Sequence, residues 1–259
     1  ELNPDPSAEE RFTTGNIVGD LAMQLFGEFT EVTAYDANGA LNLSKMIENT
    51  NECLKNGTEN ICEASFSSGG LFCSCDILRK EKDGYAIYEV KSATHEAEIY
   101  GIDIAYQKYV LEHCGITVTG TYLVCINSDY VRGEELDISQ LFKIIDMSDW
   151  VALETPLIES RLKLGETVLA GDEPVMEIGE HCSNPYDCAY WNYCSKHLPQ
   201  PSVFDLYRLP AKKKWDYYRR GLVSFRDLQY ESDLNEKQDR QIQFNLRDCG
   251  AYIDKAGIQ

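Results

Sequence analysis

Twelve residues separate Asp76 from the tripeptide Glu89-Val90-Lys91, and that interval contains Lys82-Asp83-Gly84. Asp-Gly between two apolar runs is a strong hairpin signal, because a tight turn needs backbone conformations that these residues tolerate. The flanking runs, residues 71–78 and 85–91, are apolar and aromatic and read as strands. A hairpin folds Asp76 back alongside Glu89 and Lys91. Residues i and i+2 of a strand face the same way, so Glu89 and Lys91 share one face. Two carboxylates and a lysine that converge suit a hard cation, Mg²⁺ or Mn²⁺, and a hydrolytic water. The same three groups also suit a cross-strand ion pair on a solvated sheet face, an arrangement with no chemistry attached.

The residues around the hairpin extend it into a layered fold. Helical periodicity runs through Ile102, Ala105, Tyr106, Tyr109, Val110 and Cys114, and Gly115 reads as the stop. Residues 118–127 follow, an apolar and β-branched run suited to a buried strand. Strand, helix, buried strand predicts a parallel crossover. Upstream, residues 12–26 predict an amphipathic helix with Val18, Ala22 and Phe26 on one stripe and Ile17, Leu21 and Leu25 beside it. A second helix is expected from Ser44 as N-cap to just before Gly57, and a short strand over residues 61–66. The expected fold class is α/β, with a central mixed sheet flanked by helices.

With those elements in place, the chain resembles the PD-(D/E)xK nuclease superfamily in its RecB-like branch. The matching pieces are Asp76, Glu89-Val90-Lys91, and Gln107 in Ala105-Tyr106-Gln107, in that order. The likeness is to the iron–sulfur exonucleases of CRISPR adaptation and their bacterial relatives, over roughly residues 10–200. It implies a restriction-endonuclease-like core, a metal held by Asp76, Glu89 and the Val90 carbonyl, and catalytic roles for Lys91 and Gln107. Many RecB-like nucleases carry a metal-binding histidine on the first helix a few residues after a glycine. Here Gly15 is followed at that distance by Gly19, and the first histidine is His95. Glu63 is the other acid within reach, expected to lie exposed or to act through the ligands.

The ten cysteines are unevenly placed. Cys53, Cys62, Cys73, Cys75, Cys114 and Cys125 sit mostly at apolar positions inside predicted elements, where a free thiol behaves as a small hydrophobe. Cys182, Cys188 and Cys194 stand apart, spaced C-x5-C-x5-C among aromatics and Pro185. That pattern fits a metal or cluster site shielded from water by rings. The resemblance implies a 4Fe-4S cluster on these three, with a fourth ligand upstream of residue 1. A Cys₃His zinc site with His181 or His197, and a disulfide from Cys182 to Cys188 or Cys194, are the alternatives. The chain opens Glu1-Leu2-Asn3-Pro4 rather than on Met and reads as a fragment of a longer protein.

The formal net charge of -19 works against phosphate binding, which a basic groove normally drives. The exception is a basic and aromatic segment with Lys212, Lys213, Lys214, Trp215, Tyr217, Tyr218, Arg219 and Arg220. It suits either a single-strand track or a helix that buries its rings and solvates its charges. Residues 201–259 are expected to form a helical appendage leading to a further domain, and 1–200 a nuclease domain that includes the cysteine segment. No run is long enough to span a membrane, and unpaired cysteines favour a reducing cytoplasm. The resemblance implies a Mg²⁺- or Mn²⁺-dependent nuclease acting on DNA, as an exonuclease on single strands, with protein partners or further domains of the same chain. The rival is a nuclease-fold scaffold or nucleic-acid-binding module that has lost cleavage.

Overall fold

The computed structural model describes residues 6–250 and Ile253, in two compact units that divide between Glu173 and Pro174. The first unit opens with α1 (Pro6–Ala22), extended by a 3₁₀ turn over Met23–Phe26. β1 (Thr30–Glu31) and α2 (Leu43–Asn56) precede the hairpin strands β2 (Asn60–Ser68), β3 (Leu71–Lys80) and β4 (Tyr85–Lys91). α3 (Glu98–His113) and β5 (Val118–Ile126) follow, then α4 (Ile138–Leu141), β6 (Phe142–Asp146) and α5 (Ser148–Ala170). The six strands form one open mixed sheet in sequential order. β1 and β2 are parallel, β2, β3 and β4 antiparallel, β4 and β5 parallel, and β5 and β6 antiparallel. The α/β sheet and the parallel crossover through α3 agree with the sequence reading.

Two apolar layers enclose the sheet. On one face Ile61, Leu78, Ile87, Leu123 and Cys125 pack with Ile104, Ala105, Val110 and Leu111 of α3 and Val151 and Ile158 of α5. On the other, Ile77, Ala86, Tyr88 and Val124 pack with Val18 and Ala22 of α1. Phe26 is half-buried there, its ring 4.6 Å from that of Tyr88, whereas Ile17 is exposed although it lies beside the stripe. Cys53, Cys62, Cys73, Cys75 and Cys125 are buried and Cys114 half-buried, and all ten cysteines are free thiols.

Several boundaries differ from those the sequence predicted. α2 is capped by Asn42, whose side chain accepts from the Lys45 N–H, so the helix begins before Ser44. Gly57 does end it, at φ 71, and Gly115 follows α3 at φ 81. Two edge strands and α5 carried no readable signal. α5 buries only Val151 and Ile158 and contains Pro156, so its apolar stripe is sparse. It packs closely on α3 because Gly101 has no side chain: a Cβ there would stand 3.1 Å from the Trp150 Cβ.

The second unit contains α6 (Trp191–Cys194), α7 (Ala211–Arg219), α8 (Phe225–Leu228) and α9 (Glu236–Leu246). Capping boxes start a 3₁₀ turn at Ser202, α8 at Ser224 and α9 at Asn235. Tyr217, Val203, Leu228 and Ile242 form its core. The cysteine segment lies in this unit rather than with the sheet. Of the helical appendage expected over 201–259, α7, α8 and α9 are present, and 251–252 and 254–259 fall outside the described residues, as does the stretch 1–5. Among the described residues no helix is long and apolar enough to cross a membrane.

The hairpin turn is held against the α3–β5 loop. Glu81 N donates to Gly84 O, and Tyr85 N donates to Thr117 O at 2.9 Å. A Cβ on Gly84 would stand 2.3 Å from the Thr117 carbonyl oxygen, so the backbone must give way. Gly84→Ala is expected to lower stability by about 1–3 kcal/mol, read as a lower urea midpoint with an unchanged slope.

Candidate active site

The hairpin delivers a row of acids across three strands. Cys62 pairs with Ile77 and Ala64 with Cys75, which sets Glu63 opposite Asp76. Ile77 pairs with Tyr88, so one step further along the register Asp76 comes level with Glu89. The β3–β4 ladder ends there, and the Asp76 carboxylate takes over: its Oδ2 accepts the Val90 N–H at 2.6 Å. Lys91 shares the Glu89 face as expected, with Nζ 2.8 Å from Glu89 Oε1. Glu89 is buried, and Gln107 Nε2 of α3 donates to its Oε2 at 2.6 Å. The glutamine thus holds Glu89 rather than Lys91. Tyr109, two residues on, packs its ring on His113, with centroids 4.0 Å apart.

Glu63 is neither exposed nor ordinary. Its φ is 58, a left-handed conformation that costs a residue with a Cβ roughly 1–3 kcal/mol and persists only where the surroundings enforce it. The conformation also breaks the strand's alternation. Ile61 faces the α3 layer and Cys62 the α1 layer, but Ala64 and Phe66 both face α3. Cys75 and Cys73 on β3 make the same switch, so the hairpin tip bends over α3 at the Glu63–Asp76 step.

The row is electrostatically crowded. Burial pushes the Glu63 carboxyl up to about 7, and the carboxylates of Glu31, Glu89 and Asp20 add to it. Burial, then Glu89 and Glu63, raise the Asp76 carboxyl well above its ordinary value, against the Val90 N–H and the Lys91 ammonium, which both favour the charged form. The Cys62 thiol is driven up to about 12 by burial, then by Glu63, Glu31 and Asp76. Burial works against the Lys91 ammonium, but Glu89 and Asp103 outweigh it and hold the lysine charged above its usual range. The sequence reading missed Asp20, Glu31 and Asp103. Asp20 follows Gly19 directly on the first helix, where a histidine was sought, and that position was the available signal.

Among the described residues no three His, Cys, Asp or Glu groups are arranged so as to hold a metal ion. Mg²⁺ does not need such a cage, since it takes one or two carboxylates and completes its shell with waters and phosphate oxygens. Asp76, Glu89 and the Val90 carbonyl fit that requirement by donor chemistry, and a cation would relieve the crowding. Gln107 Oε1 is buried without a hydrogen-bond partner, an acceptor suited to a water held in the site.

The cysteine segment behaves differently. Cys182 is buried with Trp215, and Cys188, Cys194 and Trp191 pack against the same small core. A cavity of about 230 Å³ lies beside Cys182, Trp191, Phe204 and Trp215. The three thiols share this core without forming a metal-holding group, no disulfide joins them, and His197 Nδ1 is 2.9 Å from the Cys194 carbonyl oxygen.

In the basic segment, Trp215 and Tyr217 are buried. Lys213 pairs with Asp233 (2.8 Å), Arg219 with Glu180 (2.7 Å), and Arg220 with Asp216 and Glu231. Lys214 donates to the Phe204 carbonyl at 2.7 Å, and Lys212 is exposed. Both rings belong to the core of the unit, and Tyr218 is half-buried against it.

No known family model matches the chain, and no curated protein matches it.

The acid row carries a pH signature. A carboxyl whose pKa is raised on folding binds its proton more tightly in the folded state, so its stabilising effect is present at low pH and lost as pH rises. For Glu63 that window runs from its ordinary 4.5 to about 7. Without divalent cations the melting temperature should fall between about pH 5 and about pH 8, and Glu63→Gln should flatten part of that slope. Asp76, raised in the same direction, adds to that slope.

Proposed function

We propose that this chain is a metal-dependent nuclease of RecB-like PD-(D/E)xK type, acting on DNA as an exonuclease on single strands. The observation that carries the reading is the alignment of Asp76 with Glu89 at the end of the β3–β4 ladder, with Lys91 on the Glu89 face and Gln107 bonded to Glu89. Asp76, Glu89 and the Val90 carbonyl would hold Mg²⁺ or Mn²⁺. Such an ion, when bound, polarises the scissile phosphate and lowers the pKa of an attacking water. Lys91 places a fixed positive charge where the phosphate gains negative charge in the transition state. Gln107 keeps Glu89 oriented, and its free Oε1 accepts from the attacking water. The buried sheet wall on the α3 side limits competing solvent.

The acidity of the chain sets the conditions. With a net charge of -19, attraction for DNA rests on the bound cation and a few lysines, so few counterions are released and the salt dependence of binding should be shallow. In the protein purified anaerobically, Mn²⁺ should support degradation of single-stranded DNA. Lys91→Ala should reduce it by about 10²-fold or more, and should also lower the melting temperature because buried Glu89 loses its ammonium partner. Equal residual cleavage by wild type and Lys91→Ala would sink the reading and leave the nuclease-fold scaffold in its place.

The three cysteines enter the same proposal as the protein half of a 4Fe-4S site, with zinc as the alternative occupant. The shielding rings Trp191, Phe204 and Trp215 pack edge to face around them, and this favours a buried prosthetic group. Elemental analysis and the visible spectrum of the anaerobic protein separate the two. About four irons per chain with a broad visible band are expected. One zinc without colour would assign zinc, and neither metal would withdraw the site.

A further inference from the structure

α3 returns over β4 with two polar side chains one turn apart. Gln107 donates to Glu89, and Asp103 Oδ2 lies 3.1 Å from Lys91 Nζ. Four residues along a helix rise about 6 Å. Two residues along a strand span about 6.6 Å. The helix pair therefore matches the strand pair rung for rung, in reversed order, as a crossover helix returning over its own strand requires.

Lys91 is held at both ends of its reach. Its ammonium lies 2.8 Å from Glu89 Oε1 and 3.1 Å from Asp103 Oδ2, with the Tyr100 ring centroid at 5.6 Å. The Glu89 contact is incompatible with cation binding as it stands, because ammonium and cation compete for the same carboxylate at close range. One of the two must yield. If Lys91 yields, it needs a second carboxylate that is not itself a ligand, and Asp103 stands there on a different element. Its side chain is 40% exposed and sits on the helix edge, so folding gains little from its charge.

We propose that Asp103 is the positioning residue of Lys91: it draws the ammonium off Glu89 as a cation takes the Asp76–Glu89 pair, and keeps the lysine aimed at the reacting phosphate. The inference rests on the nuclease reading above and deepens it. Gln107 and Asp103 then divide the work, one fixing the acid and the other fixing the base of the Glu-Val-Lys strand. Loss of Asp103 leaves Glu89 as the carboxylate that holds the lysine, so the ammonium blocks the cation and is misplaced for chemistry.

The test uses the full chain with Asp103→Asn, Asp103→Glu, Lys91→Ala and the Asp103→Asn/Lys91→Ala double variant. Mn²⁺ affinity is read by electron paramagnetic resonance titration, and cleavage of a labelled single strand gives kcat and KM separately. Asp103→Asn should lower kcat and Mn²⁺ affinity by roughly 10–100-fold each while KM for DNA stays within about 2-fold. Asp103→Glu should recover part of both losses. In the Lys91→Ala background, Asp103→Asn should change Mn²⁺ affinity by less than about 2-fold, because the lysine it positions is gone. An equal loss of affinity in both backgrounds means that Asp103 acts as a bare charge, and overturns the inference. Wild-type kcat in Asp103→Asn overturns it too, while cleavage that still depends on Lys91 leaves the nuclease reading standing. Absence of cleavage by wild type overturns the reading and this inference together.

Discussion

The parallel pairing of β4 with β5 is the constraint on which the candidate site depends. Parallel neighbours cannot be joined by a tight turn, so the chain must leave the sheet, cross it and return. α3 is that crossing. It buries Ile104, Ala105 and Leu111 against Ile87 and Leu123, and the burial fixes its rotation about its own axis. Once the rotation is set, Gln107 and Asp103 have one place to point, over Glu89 and Lys91. The polar contacts are then a consequence of an apolar interface.

Opposed to that stabilising layer is the acid row. Glu63, Asp76 and Glu89 stand on adjacent strands, with Asp20 and Glu31 close enough to act on Glu63. Like charges in a half-buried row oppose folding, and the left-handed backbone at Glu63 adds strain at the same point. Neither feature helps the fold. Strain and charge stored together at one row are the pattern expected where function, rather than stability, selects the residues.

The second unit solves a different problem. It is small, and its aromatic residues are used as core: Trp191, Phe204, Trp215 and Tyr218 pack at 4.8–6.3 Å between centroids. Three of its basic residues, Lys213, Arg219 and Arg220, answer carboxylates of their own unit, namely Asp216, Asp233, Glu180 and Glu231. A basic run in the sequence is therefore partly neutralised in the fold. Charge read along the chain overstates the field wherever the fold folds acids onto bases.

Local chemistry alone determined much of the first unit. Asp83-Gly84 gives the hairpin, the apolar and aromatic runs give β3 and β4, and Gly57 and Gly115 end their helices because only a residue without a Cβ takes a positive φ freely. The i,i+2 rule was enough to put Lys91 on the Glu89 face. Residues that meet across elements were not legible. For Glu63 the sequence left open an exposed acid or one acting through the ligands, because its place depends on the register with β3 and on a backbone angle that no side chain announces. Asp103 became a partner of Lys91 only when α3 was laid on the sheet. α5 escaped notice because its contact with α3 runs through Gly101 and few apolar groups. Sequence determined what each segment could form and which groups shared a strand face; tertiary structure decided which acids met, since burial and proximity are properties of packed elements and not of any one segment.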